Sequence, residues 1–476
     1  MALVFFNTLS KRKEEFKPLK GKTVRMYTCG PTVYDFAHIG NFRAYVFEDV
    51  LRRYLEYKKY GVKQVMNLTD VDDKTIKGAK KAGVSLQEYT KKYSDAFFED
   101  IKKLNIEKAE VYPRATEHVK EMVSLIQLLL KKGFAYRSGD GSIYYNVRKF
   151  TDYGKLSGIT VGELREGARV SQDSYEKEQA ADFALWKKWD AEDGDVFWET
   201  PLGKGRPGWH IECSAMSVKY LGESFDIHTG GVDNMFPHHE NEIAQSEAAT
   251  GKQFVRYWLH CEHLLVNGRK MSKSLGNFYT LRDVLAKGFS PAAVRWFLLS
   301  GYYRQQLNFT FGALESAEKT VHGILDFVER LKEKKKEERK KVKQNPEVKK
   351  LIGNARKGFE KGMDDDLNTP VALAALFEFE RKANKLLAEE KISSGDAKEM
   401  LLLLLQELNK VLGILEYAAG KKIGGAEKKG IEKLVAEREA ARRKGDYAAA
   451  DRIRKELGEK GIILEDAKGG TRWRIA

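Results

Sequence analysis

A parallel α/β fold of the nucleotide-binding kind, interrupted by an insertion and followed by helices, is what this sequence predicts. Three observations carry that expectation. An alternating run of β-branched and aromatic residues, Thr23–Thr28, passes through a glycine-punctuated turn, Cys29–Asn41, into a stretch with helical apolar spacing. Strand, glycine-rich turn and helix in that order place a ligand beyond the strand's carboxyl end. The same pattern resumes at Gly205 after a mixed region carrying Trp186, Trp189 and Trp198, and the stretches Pro291–Leu299, Phe311–Leu331 and Val348–Leu415 have helical periodicity.

At 476 residues the chain exceeds one ordinary core, so two to four domains are expected. Lysine plus arginine minus aspartate plus glutamate is 84 − 69 = +15. Such a balance favours a polyanionic partner, with nucleic acid ahead of a membrane surface. No apolar run is long enough to span a bilayer, and Met1-Ala-Leu-Val-Phe-Phe lacks the basic start and apolar stretch of a secretory signal. The expectation is a soluble, cytoplasmic protein. Three cysteines, Cys29, Cys213 and Cys261, are too few and too odd for a disulfide framework and read as reduced thiols.

Taken in order, the helix after Asn41 presents Tyr45, Val46, Val50, Leu51, Tyr54 and Leu55 on one face. A second strand, Gln64–Thr69, leads into Asp70-Val-Asp-Asp-Lys74, whose carboxylates read as helix caps ahead of metal ligands. Ser85–Leu104 is helical and charged; Thr116 is expected to cap a helix whose face is Val119, Met122, Val123, Ile126, Leu129 and Leu130, closed by Gly133. Ile143–Val147 is a short strand. Lys332–Lys343 reads as a solvated helix extension or linker, Met400–Leu405 as part of a buried bundle helix, and Gly420–Gly425 as a linker. The segment 421–476 carries 16 basic against 10 acidic residues. It has helical stretches at Ile431–Lys444 and Tyr447–Lys460 and ends in Gly470-Thr-Arg-Trp473-Arg474, a basic and aromatic mixture that suits phosphates and unstacked RNA bases.

Candidate chemistry concentrates in three places. His38 and Asn41 stand three residues apart at a helix start, where both can face one ligand near the positive end of the helix dipole, and Gly40 lets a flat base approach the backbone. His238 and Glu242, four apart on a helix, have metal-ligand spacing, and Cys29 and Cys213 could add thiolates; a satisfied polar helix face explains the same spacing. Lys270-Met-Ser-Lys273-Ser274, flanked by Gly268 and Gly276, brings two ammoniums, two hydroxyls and backbone donors to a loop able to close on a polyphosphate.

Five motifs taken together are highly specific. Cys29-Gly-Pro-Thr-Val-Tyr-Asp, His38-Ile-Gly-Asn41, Gly208-Trp-His-Ile-Glu-Cys213, Phe236-Pro-His-His-Glu-Asn-Glu242 and Lys270–Ser274 stand in the order and spacing of the cysteinyl-tRNA synthetases, which the chain closely resembles from Phe6 to Trp473. The resemblance implies a class I aminoacyl-tRNA synthetase with a Rossmann-type core. Its expected organisation is a first catalytic half (1–111), an inserted connective subdomain (112–204), a second catalytic half (205–262), a stem-contact region with the lysine loop (263–315), a helical bundle (316–420) and a small mixed α/β anticodon-binding domain (421–476). It also implies activation of cysteine by ATP with Mg²⁺, followed by transfer to the terminal adenosine of cysteine tRNA, in a monomer with no membrane partner.

By the same resemblance one Zn²⁺ is held by Cys29, Cys213, His238 and Glu242. Trp209 forms a wall beside bound cysteine, Thr69 and Asp233 take its polar end, and His210 and His228 line the same pocket. His38, Asn41, Lys270 and Lys273 serve ATP and catalysis, with Gly40 beside them. Asn41 departs from the histidine that commonly ends the class I signature, so its share of charge stabilisation differs. Cys261 matches no ligand position and reads as structural. A rival in another class is a ligase joining cysteine to an amino-sugar, which shares the first step but lacks an anticodon domain; a zinc-stabilised RNA-binding protein without catalysis is a third reading.

Overall fold

The computed structural model describes residues 2–160, 182–337, 345–415, 425–459, 462–467 and 470–475. They fall into two compact units, Met1–Leu415 and Glu416–Ala476. The larger is built on four strands, β1 (Thr23–Thr28), β2 (Gly61–Met66), β3 (Phe225–Gly231) and β4 (Val255–Cys261), all parallel and ordered β4-β3-β1-β2. After β1 the chain crosses through helix α1 (Ile39–Tyr57) to β2, and only after the insertion does it return to lay β3 on the other edge of β1. The direction of winding therefore reverses between β1 and β3, and their carboxyl ends leave a crevice there.

Parallel strands are covered on both faces, and the residues match: Val24, Met26, Tyr27, Val65, Phe225 and Ile227 are all buried. Helix α2 (Trp209–Leu221) contributes Cys213 and Met216, and helix α3 (Glu240–Thr250) contributes Ile243, to one core with Phe254 and Trp258.

Two local expectations are corrected. The second strand ends at Met66; Leu68 and Thr69 leave the sheet through single bridges to Arg114 and Thr32. Thr116 does not cap the following helix, which runs Val119–Lys131 behind His118. Its N–H and hydroxyl donate instead to buried Asp70, at 2.9 and 2.7 Å, because a desolvated carboxylate draws the donors more strongly than an open helix start. Asp72 caps the Asp73–Ala82 helix, accepting from Lys74 N–H at 2.7 Å.

The inserted region adds a five-stranded antiparallel sheet, with Trp186 buried and Lys204 held 3.9 Å from the ring centroids of both Trp189 and Phe197. Beyond the core, helices Phe311–Lys336, Pro346–Asp364, Thr369–Ala388 and Ser394–Leu402 form the bundle. The leucine run is buried at Leu401, Leu403 and Leu404, while Leu402 is exposed, because the helix widens over Leu403–Leu408 before ending at Gly413 with φ 61°. Residues 338–343 of the lysine-rich run and 420–424 of the expected linker lie outside the described residues. The second unit packs helices Gly425–Arg443 and Tyr447–Glu459 with the hairpin Ile462–Ala467/Gly470–Ile475 around Ile431, Val435, Leu457, Ile462 and Leu464. The side chains of Trp473 and Arg474 lie outside what is described. Among the described residues no helix is long and apolar enough to cross a membrane.

Helix α1 ties these parts of the larger unit together. Arg43 donates to the carbonyls of Leu298, Gly301, Tyr302 and Gln305. Asp49, fully buried, accepts from Arg53 at 2.8 Å and from Arg295 at 2.5 Å, and Arg295 also reaches the carbonyls of Leu104, Asn105 and Leu412. Removing Asp49 would leave the fully buried Arg295 without its carboxylate, while Arg53 would keep Glu107 at 3.0 Å. Asp49→Ala is expected to destabilise the protein by about 3–5 kcal/mol, read as a large drop in the thermal midpoint; a midpoint unchanged within about 1 °C would contradict this account of α1.

Candidate active site

A cleft of about 370 Å³ opens at the carboxyl ends of the strands. One wall is the start of α1. His38 is its N-cap: His38 Nδ1 accepts from Asn41 N–H at 3.2 Å, and Asn41 Oδ1 accepts from His38 N–H at 3.1 Å. The reciprocal pair fixes both side chains by chemistry. With Nδ1 an acceptor, a neutral His38 carries its proton on Nε2; with Oδ1 an acceptor, the Asn41 amide has its NH₂ left to donate. Burial pushes His38 down to about 4, helped by the charge of Lys273, so the ring is neutral at pH 7. Gly40 is required here, since a Cβ would sit 2.9 Å from His38 Nδ1.

The lysine loop meets that wall. Ile39 N–H donates to Tyr279 O at 2.9 Å and the Phe278 ring stands edge-on to His38, 5.1 Å between centroids. Inside the loop, Asn277 bridges Ser272 N–H and Lys270 O, and Ser272 caps the turn Lys273–Leu275. Lys270 lines the cleft. Lys273 Nζ contacts Asp35 at 2.5 Å, a hydrogen bond that raises the ammonium's pKa. Sequence reasoning missed Asp35; its signal was a lone carboxylate in the turn facing two lysines.

Cys29 lines the cleft, and behind it the structure brings Cys29 together with buried Cys213, His238 and Glu242, which are not among the lining residues, with one donor atom from each within 4.8 Å of the others. Cys29 follows β1, Cys213 lies on α2, and His238 and Glu242 flank the start of α3. A second set, Cys29, His228, His239 and Glu242, meets the same criterion. Glu242 Oε1 is buried and has no hydrogen-bond donor, although His238 Nε2 lies 3.2 Å away. A carboxylate oxygen and an imidazole nitrogen at contact distance, beside two thiols, are the donor set of a thiophilic cation such as zinc, and the residues fit one. Burial pushes Glu242 up to about 8. The Cys29 thiol is raised by its hydrogen bond with Cys213 and by burial, and the Cys213 thiol by burial.

The remaining expected residues divide between the cleft and its support. Trp209 and Asp233 line the cleft, Trp209 stacked on His238 at 4.2 Å and 16°. Thr69, His210 and His228 are not among the lining residues. Thr69 donates to Glu212 at 3.0 Å; His210 Nδ1 meets His238 Nδ1 at 2.9 Å; His228 Nε2 meets Glu242 Oε2 at 3.0 Å. Orienting contacts of that kind fix ligand tautomers and carboxylates from behind. His239 and His260 were also missed. His239 contacts Cys29 Sγ at 3.2 Å and passes through His260 to Thr8, at 2.8 Å per step. Cys261 borders the cleft yet is buried, its thiol 3.7 Å from Arg43 O and pushed up to about 12 by burial.

Comparison with known proteins matches this geometry. Residues 15–319 match the family described as tRNA synthetases class I (C) catalytic domain. A methionyl-tRNA synthetase of Mycobacterium tuberculosis in complex with methionyl-adenylate shares the fold, with TM-score 0.63, 16% identity, and coverage of 83% of this chain and 91% of that one. The core is thus that of a class I aminoacyl-tRNA synthetase. Residues 358–416 match the DALR domain and 426–474 the cysteinyl-tRNA ligase anticodon binding domain. A cysteine–tRNA ligase of Brachyspira hyodysenteriae is 50% identical over 99% of both chains, and one of Protochlamydia amoebophila 48% identical over 99% of this chain and 97% of its own. The chain belongs to the cysteine–tRNA ligase family, whose members are ATP-dependent ligases.

If the cluster holds zinc, loading must displace protons from groups that are protonated at neutral pH. Zinc added to chelator-stripped protein at about pH 7 is expected to release about two to three protons, from Cys29, Cys213 and Glu242. Cys213→Ser should bind less metal. A titration in buffers of different ionisation enthalpy, with metal analysis, checks both; no proton release, or full zinc content in the variant, would contradict the assignment.

Proposed function

We propose that this chain joins cysteine to ATP, releasing pyrophosphate, and passes the cysteinyl group to the terminal adenosine of cysteine tRNA. The observation that carries the reading is one cleft whose lining joins Cys29, the outermost member of a buried thiol-rich cluster able to hold a cation, to neutral N–H donors and lysines. The family match of residues 426–474 supports tRNA, ahead of an amino-sugar, as the acceptor. The regions 1–111 and 205–262 act as the two catalytic halves, 112–204 as the connective insertion, 263–315 as the stem-contact region, 316–420 as the bundle and 421–476 as the anticodon-binding part.

Selectivity is the task of the cluster. Cysteine and serine differ by one atom, and an ordinary pocket separates such isosteres poorly. Zinc bound by Cys29, Cys213, His238 and Glu242 would supply a thiophilic centre that favours a thiolate over a hydroxyl. Of the two possible sets this one is preferred because it brings two thiols, Cys29 and Cys213, where the other brings one. His210 and His228 hold His238 and Glu242 from behind, Trp209 closes the side of the pocket, and Asp233 faces the cleft, placed to accept from the substrate's ammonium. Thr69, held by Glu212, borders the same pocket from behind.

For activation, a cysteine carboxylate oxygen attacks the α-phosphorus and the bond to the pyrophosphate oxygen breaks. Charge grows on the phosphoryl and leaving oxygens, so donors already in place lower the barrier most. His38 Nε2–H and the Asn41 NH₂ are such donors, both oriented by their reciprocal cap. Asn41 cannot carry charge, and the ammoniums of Lys270 and Lys273 supply it, with Mg²⁺ accompanying ATP. For Lys273 to reach phosphate it must exchange Asp35 for the substrate.

Two outcomes test this division. Lys273→Ala is expected to slow adenylate formation by about 10²-fold in cysteine-dependent pyrophosphate exchange, with tRNA affinity altered less than about threefold. Equal loss in both would remove the loop from the chemistry. Ring-nitrogen NMR should show His38 neutral at about pH 6, with the proton on Nε2, since its pKa is depressed to about 4 and protonation comes only below that. A charged His38 at that pH would contradict the donor assignment.

A further inference from the structure

The cleft holds one more cation that activation does not use. Lys74 lies in the first turn of the Asp73–Ala82 helix, which continues from β2, the strand at one edge of the sheet. Lys270 follows β4 at the opposite edge, yet both lysines line the same cleft. The phosphate chemistry described above draws on His38, Asn41, Lys270 and Lys273, and Lys74 has no part in it.

Lys74 is set up to take an anion. Among the described residues no ion pair engages its ammonium, which rests 5.2 Å from the centroid of the Tyr34 ring. Its nearest carboxylates in the chain are occupied, Asp72 as the helix cap and Asp73 by Lys187 and Arg206. Tyr34 also lines the cleft, and its carbonyl is tied down by the Tyr89 hydroxyl at 2.8 Å. An aromatic face beside a mobile ammonium is the pairing that takes one unstacked nucleotide, base on ring and phosphate on cation.

Resting on the ligase reading above, we propose that Tyr34 and Lys74 form the entry site for the 3′-terminal nucleotide of the tRNA. Of the substrates, cysteine brings no phosphate, and ATP's phosphates already have His38, Asn41, Lys270 and Lys273. The phosphodiester of the tRNA end is the anion left. Lys74 moves off the Tyr34 ring to that phosphodiester, and the uncovered ring face takes the base. The site positions the accepting ribose and takes no part in forming the adenylate.

The test uses the full-length, zinc-loaded enzyme with ATP, cysteine and an unmodified cysteine-tRNA transcript. Lys74→Ala is expected to lower charging kcat/KM by about tenfold, the scale of one charge-assisted contact, and pyrophosphate exchange by less than about threefold. The slope of log kcat/KM for tRNA against log salt should become shallower by about 0.7. Lys74→Arg should restore most of the charging, which a merely structural role at an exposed position would not require. Equal loss of exchange and charging, or charging unaffected by Lys74→Ala, would overturn the proposal. A parent enzyme that exchanges pyrophosphate but charges no cysteine tRNA would overturn the ligase reading, and the proposal with it.

Discussion

The bottom of the cleft is governed by one buried carboxylate oxygen. Glu242 Oε1 has no hydrogen-bond donor, while Oε2 is held by His228 at 3.0 Å. Leaving such an oxygen desolvated and unpaired is expensive, and burial has already driven the group up to about 8. A proton on the carboxyl relieves it in the free protein, and a cation placed among Glu242, His238 and the two thiols relieves it by replacing that proton. The elements around it follow from that demand. β1 and α2 each deliver a cysteine, and α3 starts where His238 and Glu242 share a face. Trp209, stacked on His238, excludes water from one side.

The α1 side is governed by rigidity. The donors on the α1 wall are useful because they are oriented before any substrate arrives, and α1 is unusually well anchored for a helix that begins in a cleft. Arg43 fastens it to four carbonyls between Leu298 and Gln305, and Asp49 with Arg295 fastens it to the bundle. The strand Leu307–Phe309 that follows pairs with Leu264–Val266, which in turn pairs with Arg269–Lys270. A continuous set of hydrogen bonds therefore runs from the His38 helix to Lys270, so both sides of the phosphate site keep register with each other.

Much of this was legible in the residues. The strand–turn–helix at Thr23–Asn41 announced the sheet, and the spacing of His238 and Glu242 announced two side chains on one face, which stand 3.2 Å apart. What local pattern does not carry is competition between distant groups. Thr116 looked like a helix cap and is taken by buried Asp70, which lies far earlier in the chain. His210 and His228 were expected to line the cysteine pocket and Thr69 to take its polar end; the contacts these three make, to His238, Glu242 and Glu212, come from residues far off in the chain. Asp35, His239 and His260 owe their places to tertiary contacts, with Lys273, Cys29 and Thr8, that no sequence period encodes.

The central claim is that the Cys29–Cys213–His238–Glu242 cluster selects cysteine through a thiophilic metal. Zinc-edge X-ray absorption on the loaded enzyme, alone and with cysteine or serine, tests it most directly. The account predicts two sulfur neighbours for zinc in the free enzyme, a third when cysteine is present, and no change with serine. A sulfur count that ignores cysteine, or a zinc shell without the two protein sulfurs, would contradict it.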